Sequence, residues 1–135
     1  MLAHERISAA IRAANDDGRT ALVPFITAGY PEPGSFINTL TAIAEVGDVA
    51  EIGIPFSDPM ADGMTIQRSS FVALQKGVSL KWIFDELDNA GGTIDAPLVM
   101  MSYLNPLLAF GFDQLAKRAL ATGVCGFIVP DLPFE

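Results

Sequence analysis

Ile7, Ile11 and Ala14 recur at helical spacing, and Asn15-Asp16-Asp17-Gly18 ends that first helix. A short apolar run from Ala21 to Ile26 predicts a buried strand, stopped by Ala28-Gly29-Tyr30-Pro31. Phe36, Leu40, Ile43 and Ala44 mark a second helix, with Ser35 as its N-cap and Gly47 just past its end. Val49 to Ile54 predicts the second strand, and a long loop runs from Pro55 to Met64. Helical periodicity resumes near Ile66, breaks at Gly77, restarts after Ser79 and stops at Gly91-Gly92. Pro97 to Tyr103 predicts the third strand. Phe112, Leu115, Ala116, Ala119 and Leu120 share one helical face closed by Gly123, and Gly126 to Val129 predicts the fourth strand.

Strands alternating with helices imply a parallel sheet with right-handed crossovers. No linker, low-complexity tract or fixed-period repeat divides the chain, so residues 1–135 are expected to form one α/β unit. Four β/α units behind an extra amino-terminal helix fit a small open sheet or half of a barrel, and the pattern favours neither. A closed eight-stranded barrel needs about 250 residues. The mean hydropathy of +0.38 suits parallel strands covered on both faces, or a fragment whose lining is uncovered.

Charge and composition then remove several classes of function. Sixteen acidic residues against 8 basic ones give a net charge of -8, with no basic cluster to neutralise a phosphate backbone, so nucleic-acid binding is not expected. Cys125 is the single cysteine, which excludes an intramolecular disulfide, and its apolar surroundings point to the core. His4 is the one histidine and lies near the amino terminus, a poor basis for Ser-His or Cys-His catalysis. The first 19 residues carry charges throughout, unlike a signal peptide. Polar residues and Pro106 interrupt the apolar stretch from Pro97 to Phe112, so no membrane span is expected and a cytoplasmic location is the default. Neither a P-loop nor a dinucleotide fingerprint occurs.

The most informative residue is Glu51, a carboxylate inside an otherwise apolar strand. Alternation puts Ala50, Ile52 and Ile54 on one face, and Val49, Glu51 and Gly53 on the other. The larger aliphatic face should pack on helices, which turns Glu51 toward a barrel lumen. Burial there would raise its pKa and suit a general acid or base. The alternative is a structural glutamate paired with a buried cation. The loop from Pro55 to Gly63 follows a strand's carboxyl end, the ligand-binding side of barrels and open α/β sheets. Its Asp58 and Asp62 read, on spacing alone, as turn and capping residues before they read as catalysts, and they are weak evidence for a metal. Phe25, Thr27, Tyr103, Asn105 and Asp131 stand at the other strand ends, around one rim that could hold a flat aromatic substrate.

Glu51-Ile52-Gly53-Ile54-Pro55-Phe56-Ser57-Asp58-Pro59-Met60-Ala61-Asp62-Gly63, continuing through Thr65-Ile66-Gln67, resembles the signature of the tryptophan synthase α subunit family. Val23 to Gly29, Tyr103 to Pro106 and Pro130 to Glu135 are similar to that family's other strand ends, in order. The resemblance implies the first four β/α units of a (β/α)8 TIM barrel with an extra amino-terminal helix. It also implies retro-aldol cleavage of indole-3-glycerol phosphate to indole and glyceraldehyde 3-phosphate, without a cofactor in this subunit. Carried onto matching positions, Glu51 is the acid/base and Asp62 stabilises positive charge at the indole nitrogen, while Phe25, Thr27 and Tyr103 line the indole pocket. Pro59, Asn105 and Pro133 match positions near a β subunit, whose pyridoxal phosphate joins indole to serine in an α2β2 assembly. Met64 stands where many relatives have proline. Phosphate-binding loops commonly follow the seventh and eighth strands, so either the sequence is truncated or a second half arrives from another chain, and the chain is expected to be inactive alone. Two rivals remain. One is a barrel of the indole-3-glycerol phosphate synthase kind, disfavoured because no lysine lies on these strands. The other is a non-catalytic half-barrel that self-associates or binds the β subunit.

Overall fold

The computed structural model describes residues 1–134; Glu135, the last residue of the fourth strand-end motif, lies outside the described residues. Eleven elements follow one another. Helix α1 (Ala3–Asp16) leads into β1 (Phe25–Thr27), a 3-10 turn (Pro33–Ser35), α2 (Phe36–Val46) and β2 (Ala50–Gly53). Helices α3 (Met64–Gln75) and α4 (Leu80–Ala90) precede β3 (Leu98–Met101), and α5 (Leu104–Phe110) and α6 (Phe112–Thr122) precede β4 (Val124–Ile128). The strands form one parallel sheet in the order β1-β2-β3-β4.

The alternation expected for β2 holds. Ala50, Ile52 and Ile54 enter a core with Phe36 and Leu40 of α2 and with Ile83, Phe84 and Leu87 of α4. In register with Ile52, Ile26 and Met100 face the same helices. Phe25, Glu51, Val99 and Gly126 form the neighbouring row on the other, inner face. That face is not bare throughout, because a methyl on Gly126 would sit 3.2 Å from Ile7 of α1. Arg6 of the same helix donates to the Asp95 carbonyl ahead of β3, at 2.9 Å. Helix α1 therefore lies at the amino-terminal end of the sheet, where Val49 is only 1% exposed.

Five local expectations need correction. The first strand is shorter and later than the apolar run from Ala21 to Ile26. Pro24 has no N–H, the Leu22 N–H donates to the Asp48 carboxylate, and the Leu22 carbonyl accepts from Asp48 and Val49. Ser35 does not cap α2 with its side chain; it ends the 3-10 turn, and its hydroxyl donates back to the Glu32 carbonyl at 3.0 Å. The side-chain cap is found instead at Ser79, which accepts from the Trp82 N–H at the start of α4. After β3 the chain turns into α5, a helix that the periodicity does not predict. Pro106 is the third residue of that helix, inside the first turn, where an N–H has no intrahelical partner to lose. On α6, Leu115 and Ala119 are buried while Phe112 and Leu120 at the flanks of the same face are exposed.

Strand β4 begins earlier than expected because a bulge extends its pairing. Leu98 and Val99 face Val124 and Gly126, which leaves Cys125 as the extra residue. Its buried thiol donates to the Gly123 carbonyl at 3.4 Å and receives the Arg6 guanidinium at 3.7 Å. No helix among the described residues is long and apolar enough to cross a membrane.

Candidate active site

Glu51 stands in the middle of the inner face, between Phe25 on one side and Val99 on the other. It is half-buried, and among the described residues its carboxylate has no hydrogen-bond or ion-pair partner. Burial accordingly raises its pKa above the ordinary carboxylate value. The row above it, toward the carboxyl ends of the strands, contains Thr27, Gly53 and Met101. A side chain at Gly53 would run into the Phe25 ring, so glycine there lets the aromatic ring lie over the strand next to Glu51.

The loop after β2 is held by its own backbone and by two side chains from elsewhere. Met60 donates to the Asp58 carbonyl at 2.8 Å, and Asp62 donates to the Pro59 carbonyl at 3.0 Å. From the end of β3, the Tyr103 hydroxyl accepts the Ala61 N–H at 3.0 Å. From α3, the Gln67 amide donates to the Asp62 carbonyl at 2.8 Å. Phe56 stacks on Tyr103 with ring centroids 5.3 Å apart, which packs the start of the loop against the same ring.

Tyr103 is 2% exposed. Burial is the main reason that its phenol pKa is raised; the Ala61 N–H works in the opposite direction, and the Asp62 and then the Asp131 carboxylates add to the rise. Asp62 thus lies close enough to Tyr103 to act on it electrostatically. Asp58, by contrast, is exposed and accepts a hydrogen bond from Ser57 at 2.9 Å.

Thr27 is buried, and its hydroxyl is 2.7 Å from that of Ser69 on α3. Ser69 spends its single proton on the Ile66 carbonyl at 2.9 Å, which makes Thr27 the donor of the pair. As placed, Thr27 ties β1 to α3. An open cavity of about 440 Å³ lies beside it, lined in part by Phe25, Thr27, Tyr30, Thr65 and Arg68. Pro59 in the loop after β2, Asn105 in the first turn of α5 and Pro133 after β4 all follow carboxyl ends of strands, on one rim. Asp131 joins two of those segments, since its carboxylate accepts the Leu104 N–H at 2.8 Å. Among the described residues no three His, Cys, Asp or Glu side chains converge as a metal site requires.

Ser69, Gln67 and the stacked Phe56 were not singled out by residue chemistry. Phe56 and Ser69 meet partners far away in sequence, whereas Gln67 follows Gly63 by one helical turn. That spacing is one residue beyond the third helical position used by a capping box.

A family model described as tryptophan synthase alpha chain matches residues 11–135. The tryptophan synthase alpha chain of Desulfovibrio desulfuricans is 52% identical over 126 residues, covering 93% of this chain and 49% of the relative. That of Burkholderia ambifaria is 46% identical over 132 residues, covering 96% and 49%. Among solved structures, tryptophan synthase subunit alpha from Legionella pneumophila superposes with a TM-score of 0.87 at 35% identity, covering 95% of this chain and 50% of that one. A tryptophan synthase structure from M. tuberculosis gives 0.86 at 34% identity, covering 94% and 51%. The chain spans about half the length of the relatives it matches, and its four β/α units overlay half of their barrels. With the site's loop, its inner-face glutamate and its sheet order all in the matched region, the chain belongs to the tryptophan synthase alpha chain family.

Proposed function

We propose that this chain supplies the acid/base half of a barrel that cleaves indole-3-glycerol phosphate to indole and glyceraldehyde 3-phosphate. The observation that carries the reading is Glu51: a half-buried carboxylate on the inner face, with no cation paired to it among the described residues, its pKa raised by burial. Such a group holds a proton closer to neutrality than an ordinary glutamate and can both donate and accept it. In the proposed reaction Glu51 protonates indole C3 and takes the proton of the glycerol hydroxyl as the carbon–carbon bond breaks. Asp62, held by the loop next to Tyr103, stabilises the positive charge that develops at the indole nitrogen.

Phe25 supplies aromatic surface for the indole ring, with Thr27 at the same rim, while the buried Tyr103 backs the pocket by holding the loop at Ala61, next to Asp62. The remaining barrel wall, and a phosphate site on it, belong to residues outside these 135. Indole is taken up by a β subunit that meets Pro59, Asn105 and Pro133. The setting is tryptophan biosynthesis in the cytoplasm, and no cofactor takes part on this side of the reaction.

The test is Glu51→Gln in the complete barrel, formed from this chain and the second half of a close relative. Removing proton transfer at constant shape should lower indole release by about 10²- to 10⁴-fold. A variant that released indole at the parent rate would exclude Glu51 as the acid/base.

A further inference from the structure

We propose that Gln67 is a positioning residue that sets the Asp62 carboxylate for catalysis, an inference that rests on the role of Asp62 given above. Gln67 is the fourth residue of α3, and its backbone N–H closes the first turn onto the Gly63 carbonyl at 3.0 Å. Its side chain folds back over the helix end instead of extending into water. The amide nitrogen donates to the Asp62 carbonyl at 2.8 Å and reaches the Pro59 carbonyl at 3.5 Å. Both neighbours are carbonyl oxygens, so only the NH₂ end of the amide can face them.

The short bond matters most, because it completes the restraint of Asp62. The Asp62 N–H is already bound to Pro59, and Tyr103 binds the N–H of the preceding Ala61. Asp62 therefore has both backbone polar groups engaged, one by the turn and one by Gln67. A carboxylate meant to meet charge only in the transition state gains from such preorganisation, and a displacement of about 1 Å can cost 10²-fold in rate. The clamp is solvent-exposed, so it adds little to folding stability. Positioning and folding can accordingly be separated by mutation.

The experiment compares Gln67→Glu, Gln67→Lys, Asp62→Asn and the Asp62→Asn/Gln67→Glu double variant in the complete barrel. Gln67→Glu keeps the length but turns a donor into an acceptor facing two carbonyls. It should lower kcat about 10- to 100-fold with little change in KM, without a drop in Tm. Gln67→Lys retains a donor of similar reach and should recover most of the rate. The double variant should be no slower than Asp62→Asn alone, since Gln67 acts through Asp62.

A parent-like kcat in Gln67→Glu, a change confined to KM, or strictly additive losses would overturn the proposal. If Asp62→Asn itself left kcat unchanged, the reading of Asp62, and with it this proposal, would fall. Amide exchange separates the geometry from the chemistry: Gln67→Glu should speed exchange at Ala61 and Asp62, and unchanged protection there would overturn the clamp even if no turnover were seen.

Discussion

The Tyr103 hydroxyl accepts the Ala61 backbone N–H at 3.0 Å, so a buried ring at the end of β3 fixes a loop that begins at the end of β2. Tyr103→Phe keeps the ring and its stacking on Phe56 while removing the acceptor. The loss of one such hydrogen bond should lower stability by about 1 kcal/mol. A shift in denaturant midpoint at unchanged slope measures it. An unchanged midpoint would mean that the loop holds its shape without Tyr103.

Glu51 gives a pH-dependent prediction whose sign follows from its raised pKa. The folded state binds the proton more tightly than the unfolded chain, whose value is near 4.5. The stability linked to this group is therefore complete below about pH 4.5 and is lost as pH rises through the higher folded value. Glu51→Gln cannot ionise, so it should match the parent in acid and exceed it near neutrality. Thermal melts of both proteins across that range decide the matter. A glutamine variant less stable than the parent at neutral pH would show that the carboxylate has a cationic partner and a structural role.

Met64 is the first residue of α3 and is 86% exposed. Its N–H belongs to the first helical turn and has no intrahelical acceptor, and the preceding Gly63 has the extended backbone (φ -72°, ψ 170°) that proline requires of its neighbour. Met64→Pro should stabilise the protein by about 0.4–1 kcal/mol through the unfolded state. A rise in the urea midpoint is the expected result; a fall would mean that the loop depends on freedom at this residue.

Periodicity was enough to find β2, its two faces and the inward turn of Glu51, because a strand's alternation is local and Ile52 and Ile54 outweigh Val49 and Gly53 as core formers. The helix stops were equally plain, since Gly91 and Gly123 adopt left-handed conformations (φ 63° and 82°) at the ends of α4 and α6. Helix α5 is not legible in the sequence because Pro106 reads as a breaker unless it falls in the first turn, and the turn's position depends on where β3 ends. Asp62 could be placed in a loop after a strand, yet nothing within the loop reveals that Tyr103 and Gln67 restrain it. Those contacts join residues 42 and 5 positions apart. The commitment of Thr27 to Ser69 was equally hidden, because it is created by the packing of α3 on β1.

The proposed roles of Glu51 and Asp62 require a complete barrel around them. Strands β1 and β4 are the two edges of the described sheet, and Ile128 on β4 is 45% exposed. Such edges and the open inner face favour association. Indole release from indole-3-glycerol phosphate should be measured for the 135-residue chain alone and after addition of the second half of a relative, together with mass in solution. The expected result is no turnover and self-association for the chain alone, then a compact, active species once the missing half is supplied. A monodisperse monomer that releases indole by itself at the rate of the completed barrel would contradict it.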